Sequence, residues 1–202
     1  VVIALTADHG VAPFPEVHAH DPNAGATRVE LAPIVQRMRD AVVRRGAPKS
    51  AFNFGDGVLE IDRRALAAAG ISADSLVSAF RDSIIKVPGV RRADRIPELQ
   101  HADTVHDDVA RRWLHMFDSD STVALVVTLT PYSYWGLAGS AEHGSPYDYD
   151  AHVPLIFYGA PFRPARYATR ARTVDIAPTL ARVVHVKPAE RLDGKPLAEI
   201  LR

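Results

Sequence analysis

Val1-Val2-Ile3-Ala4-Leu5, followed at once by Thr6-Ala7-Asp8-His9-Gly10, sets the frame for the whole chain. The first five residues are apolar at every position, the pattern of a strand buried on both faces in a parallel sheet. The opening has no initiator Met, no basic segment and no small-residue cleavage site, so it does not match a signal peptide. A chain that opens inside a core strand is expected to continue from a longer protein. Asp8 and His9 follow the carboxyl end of the strand, where ligands bind in open α/β sheets. Neighbouring strand residues point to opposite faces, so convergence of the two on one ion requires the backbone to leave β geometry. Gly10 permits such a turn. Carboxylate plus imidazole suits zinc and other borderline divalent ions. The alternative is that Asp8 caps the next segment and His9 is a surface loop residue.

Working outward, three zones separate. Residues 1–33 form a core-sheet segment with the Asp-His pair and a Pro/His-rich loop containing His18 and His20. Residues 34–131 are expected to form an inserted α+β lobe. Its pattern gives a helix over 34–45 closed by Gly46, then strands at 51–54 and 58–61 around Gly55-Asp56-Gly57. A helix over 74–85 follows, closed by Pro88-Gly89, then a helix over 107–117. Residues 122–129, Thr-Val-Ala-Leu-Val-Val-Thr-Leu, give the strongest strand of the chain. The order of elements suggests a small split-βαβ unit. Residues 132–202 form a second core-sheet segment with a Gly-rich loop, a strand over 153–158 and a helix over 175–184. The predicted class is α/β: a mainly parallel sheet flanked by helices, carrying the inserted lobe.

Composition narrows the function. The 202 residues carry 24 Lys+Arg and 24 Asp+Glu, so no net charge favours nucleic acid or an anionic surface as partner. No apolar run approaches the roughly 20 residues that span a bilayer. Zero cysteines exclude thiolate sites, which leaves His and carboxylates for any zinc. There is no Gly-x-Ser-x-Gly elbow, P-loop or His-Glu-x-x-His.

The second constellation is Glu142-His143-Gly144-Ser145-Pro146-Tyr147-Asp148-Tyr149-Asp150-Ala151-His152-Val153-Pro154, again a Gly-rich loop leading into an apolar strand. Pro154 places that strand at an edge or at its own start. His143 is the candidate ligand here. Asp150 and His152 are candidates to orient its loop, because a metal-bound imidazole usually donates its other N–H to such a group. His152 could equally just begin the strand. Asp175 reads as a helix N-cap rather than a ligand, and Ser145 as a serine bonded to turn backbone rather than a nucleophile. His101 and His106 fall in a solvated turn, His115 and His185 on helix surfaces.

Three runs taken in order carry a family resemblance: Thr6-Ala7-Asp8-His9-Gly10, the segment 143–159, and Thr173-Val174-Asp175-Ile176-Ala177-Pro178-Thr179-Leu180. With the tail Leu192-Asp193-Gly194-Lys195-Pro196-Leu197 they resemble the C-terminal part of the alkaline phosphatase superfamily. The likeness is to its bacterial phosphate-irrepressible branch, akin to the nucleotide pyrophosphatase/phosphodiesterases. The resemblance implies a two-zinc phosphohydrolase of phosphate monoesters acting through a covalent phospho-enzyme, with other divalent metals as an alternative. Asp8 and His9 match the pair that binds one zinc, and His143 matches a ligand of the other. Two such ions clamp the attacking and leaving oxygens of an in-line displacement. The nucleophile and remaining ligands have no counterpart here, so the missing N-terminal part of the parent is the expected partner and the isolated chain is expected to be inactive. A small phosphate ester is the implied substrate, and the periplasm or exterior the implied location. Phosphodiesterase or sulfatase chemistry on the same fold, or a non-catalytic module needing a partner segment, are the competing readings.

Overall fold

The structure, a computed structural model, describes residues 1–18, 25–118, 121–136, 139 and 141–202. In chain order its elements are β1 (Ile3–Thr6), α1 (Pro15–His18), β2 (Arg28–Val29), α2 (Ala32–Arg44), β3 (Phe52–Gly55) and β4 (Val58–Ile61). There follow α3 (Arg63–Ala68), α4 (Ala73–Ile84), β5 (Val90–Arg95), α5 (Ile96–Leu99) and α6 (Asp108–Leu114). The last are β6 (Val123–Leu129), β7 (Tyr134–Trp135), α7 (Asp148–Ala151), β8 (Leu155–Tyr158) and α8 (Ile176–Val183). They form two compact units, Val1–Gly10 with His152–Arg202, and Val11–Ala151. The larger unit is wider than the 34–131 lobe, because β2 pairs with β7 from beyond its two ends.

The larger unit is built on a four-stranded sheet in the order β3-β4-β6-β5, antiparallel at every step. Since β4 and β5 both run against β6, they are parallel to each other across it, with α3 and α4 in the connection. This is the split-βαβ arrangement suggested by the order of elements. β6 takes the centre because six of its seven residues are buried, which suits a run with no charge in it. Helix α4 presents Val77, Phe80 and Ile84 as one buried stripe at helical spacing, and Phe80 meets Phe52 and Phe54 edge-on at 5.2 Å. Ser72 caps α4 by accepting the Ser75 N–H at 3.3 Å.

The β3–β4 hairpin closes on Asp56-Gly57, both with positive φ, as a two-residue turn matched to strand twist requires. A side chain at Gly57 would come within 2.9 Å of the Val127 carbonyl, so this turn sits against the central strand. Strand β5 had no counterpart in the sequence reading. Four of its six residues are charged, the composition of a solvated segment and also of a protected edge strand.

In the smaller unit β1 and β8 are neighbours, as their shared apolar character implied, with Ile3 opposite Tyr158 and Thr6 opposite Leu155. The α/β class stands; the two strands, expected as members of one mainly parallel sheet, pair with each other antiparallel. An apolar run reports that a strand's faces need cover, while direction is set by connections far away in sequence. Cover is also one-sided. One face packs on Phe162, Leu197 and Ile200 with Val2, Leu155, Phe157, Leu180 and Val183. The other leaves Leu5 at 57% and Tyr158 at 68% of full exposure.

The tail explains two of the sequence motifs together. Asp175 is buried and does not cap α8 with its side chain, contrary to expectation. Its Oδ2 accepts the Arg172 N–H and its Oδ1 the Lys195 N–H, each at 2.9 Å. Thr179 continues the lock by donating to the Asp175 carbonyl at 2.6 Å and accepting from Leu197 N–H at 3.0 Å. Gly194 is required there: a Cβ would lie 2.0 Å from the Val174 carbonyl oxygen. These runs are two halves of one structural latch.

Candidate functional site

Strand β1 ends at Thr6, so Asp8 and His9 lie in the non-β segment that their convergence requires. The His9 N–H donates to Asp8 Oδ1 at 3.1 Å. His9 Nδ1 lies 2.6 Å from the Gly10 carbonyl, which can only accept, so Nδ1 carries the proton in that bond. In the neutral ring this makes Nε2 the basic nitrogen, the tautomer in which a backbone carbonyl supports a metal-binding imidazole. Nε2 stands 3.6 Å from Asp8 Oδ2. Two donors bound to one zinc at about 2.0–2.2 Å in tetrahedral geometry are roughly 3.4 Å apart. The spacing of the two atoms is thus close to that of two donors on a single ion. Among the described residues no group of three or more His, Asp or Glu side chains is placed to hold a metal. Gly10 is not in the left-handed region, so the turn forms without that freedom.

His143 belongs to the larger unit and is exposed on the loop between β7 and α7. The residues on either side of it are anchored. Just before it, Glu142 accepts the Ala12 N–H at its carbonyl (3.0 Å) and the Trp135 N–H at Oε2 (3.1 Å). Just after it, Gly144 takes φ +95°, a conformation that favours glycine. Asp150 is 96% removed from solvent in the sense that only 4% of it is exposed, and its Oδ2 accepts the Ser145 N–H at 2.8 Å. Its Oδ1 has no hydrogen-bond partner among the described residues. Asp150 thus acts on the loop through backbone. Ser145 Oγ accepts the Tyr147 N–H at 3.4 Å, a turn contact of the kind expected of it. His152 is exposed and begins the second segment of the smaller unit.

The remaining histidines do other things. His106 Nδ1 meets Asp103 Oδ2 at 2.7 Å on an exposed turn. His18 stacks on Tyr132 with ring centroids 3.9 Å apart, and His20 lies outside the described residues. Tyr132 stacks in turn on Tyr149 at 4.7 Å. Its φ of +62° follows Pro131 in a turn closed by Ser133 N–H to the Thr130 carbonyl, the pattern of a type II turn. Glycine is the usual occupant; tyrosine here trades backbone ease for its place in the stack. Burial pushes the phenols of Tyr147 and Tyr149 above their usual range, against the lowering pull of Arg91 on the first and Ser145 on the second. Both stay protonated at neutral pH and act as hydrogen-bonding anchors. The Tyr-x-Tyr spacing was visible in sequence, but nothing there revealed its partners.

Comparison with known proteins finds relatives along the entire chain. It is 22% identical over 200 residues to a protein named calcium-transporting ATPase from Myroides odoratus, covering 98% of this chain and 36% of that protein. It is 21% identical to alkaline phosphatase PhoV of Synechococcus elongatus, covering 100% and 36% respectively. Against alkaline phosphatase PhoK of a Sphingomonas species the identity is 24%, covering 97% and 37%. The crystal structure of wild-type alkaline phosphatase PafA matches with a TM-score of 0.81 at 20% identity, over 100% of this chain and 38% of that one. No family model matches. The chain spans little more than a third of the proteins it matches, and its fold is that of the corresponding part of PafA.

Proposed function

We propose that this chain, similar over its whole length to part of the alkaline phosphatase superfamily, is the metal-binding C-terminal part of a two-zinc phosphohydrolase acting on phosphate monoesters. The observation that carries the reading is the Asp8-His9 pair, with His9 Nδ1 held by the Gly10 carbonyl and His9 Nε2 3.6 Å from Asp8 Oδ2. Asp8 and His9 would hold one ion and His143 would contribute to the second. Metals held there would provide Lewis-acid stabilisation of the transferring phosphoryl oxygens and would activate a water near neutral pH. The chain's own residues provide orientation. Gly10 fixes the His9 tautomer, Glu142 and Asp150 hold the two ends of the His143 turn, and Gly144 gives that turn its left-handed step. The hydroxyl that attacks phosphorus in the covalent route, and the other ligands, belong to the remainder of the parent protein. Localisation in the periplasm or outside the cell is part of the same proposal, as is a small phosphate ester as substrate.

The test is a longer protein that joins this chain to the segment its relatives possess. With p-nitrophenyl phosphate, turnover should require zinc or another divalent ion. Asp8→Ala and His143→Ala should each lower kcat by about 10²–10³-fold, the usual effect of removing one group that stabilises transition-state charge. Preference for bis-p-nitrophenyl phosphate or p-nitrophenyl sulfate would move the assignment to a diesterase or sulfatase. Metal-independent turnover, indifferent to both substitutions, would end it.

A further inference from the structure

The loop carrying His143 is tied to the four-stranded lobe by several side chains, and one of them bridges two points of the loop at once. Arg112 lies on α6, 34 residues from Pro146 in sequence. Its Nη1–H donates to the Pro146 carbonyl at 2.7 Å and its Nη2–H to Asp148 Oδ1 at 2.5 Å. The side chain is about three-quarters buried, and the fork fixes a main-chain and a side-chain acceptor at once, a geometry that arginine offers and lysine does not. A second tie is Tyr147, whose O–H donates to the carbonyl of Leu129, the last residue of β6, at 2.6 Å. A third is the Tyr149 hydroxyl, which accepts the Tyr132 N–H at 3.0 Å. On the other side, Glu142 is fixed to Ala12 and Trp135. The residues on either side of His143 and Gly144 are therefore anchored.

We infer that Arg112 is a positioning residue for His143, through which the lobe, remote from the Asp8-His9 pair in sequence, sets the geometry of the metal-binding loop. The inference rests on the phosphohydrolase reading for its catalytic consequence and on the hydrogen-bond geometry alone for the loop. A ligand displaced by about 1 Å can cost on the order of 10²-fold in rate. Loss of an outer group that orients a metal ligand typically costs about 10–100-fold in affinity or activity. Arg112 is placed to have an effect of that size through its hydrogen bonds to the loop.

Two readouts test it. In the 202-residue chain, amide hydrogen exchange is followed in Arg112→Ala and in the isosteric Tyr147→Phe, which keeps the fold even if the arginine variant does not. Exchange over residues 143–149 should rise about tenfold or more in Arg112→Ala and less in Tyr147→Phe, with β6 unchanged. In the longer protein, both variants should lower kcat, by about 10–100-fold for Arg112→Ala, with KM within about threefold and Arg112→Lys in between. Loop exchange and kcat at wild-type levels would overturn the inference. So would exchange that rises equally in β6, since that reports general destabilisation. His143→Ala separates the two layers. If it abolishes turnover while Arg112→Ala does not lower it, only this inference fails. If it leaves turnover intact, the ligand assignment fails, and loop exchange still decides whether Arg112 holds the segment.

Discussion

Strands β6 and β1 are both nearly unbroken apolar runs, yet they meet opposite fates. In β6, Leu125 and Val126 are wholly removed from solvent, with strands on both edges and helices over the sheet. In β1, alternate residues face outward, and Leu5 remains 57% exposed on a sheet of two strands. A two-stranded sheet is marginal on its own, whereas four strands with packed helices make an independent core. The lesson is that an apolar run states a demand for cover and not where the cover comes from. For β6 the demand is met inside the chain. For β1 it is met on one face, in a chain that spans 36–38% of the proteins it resembles.

The sharpest way to break this comparison is a pair of matched substitutions. Leu125→Ala should cost about 2–5 kcal/mol in urea unfolding, the range for deleting a fully buried leucine. Leu5→Ala in the same chain should stay within about 0.5 kcal/mol, as surface changes usually do. Equal costs would mean that β1 is covered after all.

A somewhat smaller effect tests the latch of the smaller unit. Gly194→Ala puts a methyl 2.0 Å from the Val174 carbonyl oxygen and 2.8 Å from the Asp175 nitrogen, both backbone atoms that cannot swing aside. Overpacking of this kind costs about 3 kcal/mol. The loss should appear as early unfolding of residues 152–202, followed by exchange, while the four-stranded lobe keeps its protection.

The smallest effect is in pH dependence, where both units carry an acid-sensitive carboxylate. Burial pushes Asp175 upward, but the Lys195 and Arg172 N–H groups outweigh it and hold its carboxyl below the ordinary range. Burial likewise raises Asp107, and the Ala110 N–H with the Arg92 guanidinium lowers it further than burial raises it. A carboxylate whose pKa is lower folded than unfolded stabilises the protein above the unfolded value, near 4. That stability is lost as pH falls through the folded value. Melting temperature should therefore fall on acidification below about pH 4. Asp175→Asn should flatten that fall for the smaller unit and Asp107→Asn for the lobe, and an unchanged acid limb in both would remove these groups from the account.

Much of this was legible in the residues because it depends on local rules. The hairpin around Asp56-Gly57, the helix closed ahead of Pro88-Gly89 and the buried strand β6 follow from turn chemistry, helix-stop signals and uninterrupted apolarity. The placement of Asp8 and His9 just beyond the end of a strand was legible because the apolar run stops at Leu5. Strand β5 was not, since its four charges belong to an edge and look solvated in sequence. The roles of Arg112 and Asp175 were hidden for a different reason: each has a partner 20 or more residues away, which no local pattern encodes. Pairing direction of β1 and β8 was hidden in the same way.

The central claim is that a metal-dependent phosphoryl-transfer site is shared between this chain and the rest of its parent. The most direct measurement is zinc-dependent release of p-nitrophenol from p-nitrophenyl phosphate by the purified 202-residue chain, alone and after covalent joining to the further segment that its relatives possess. The expected result is no zinc-dependent release by the chain alone and clear release by the joined protein, lost with His143→Ala. Robust turnover by the chain alone, abolished by a chelator and by Asp8→Ala, would contradict it.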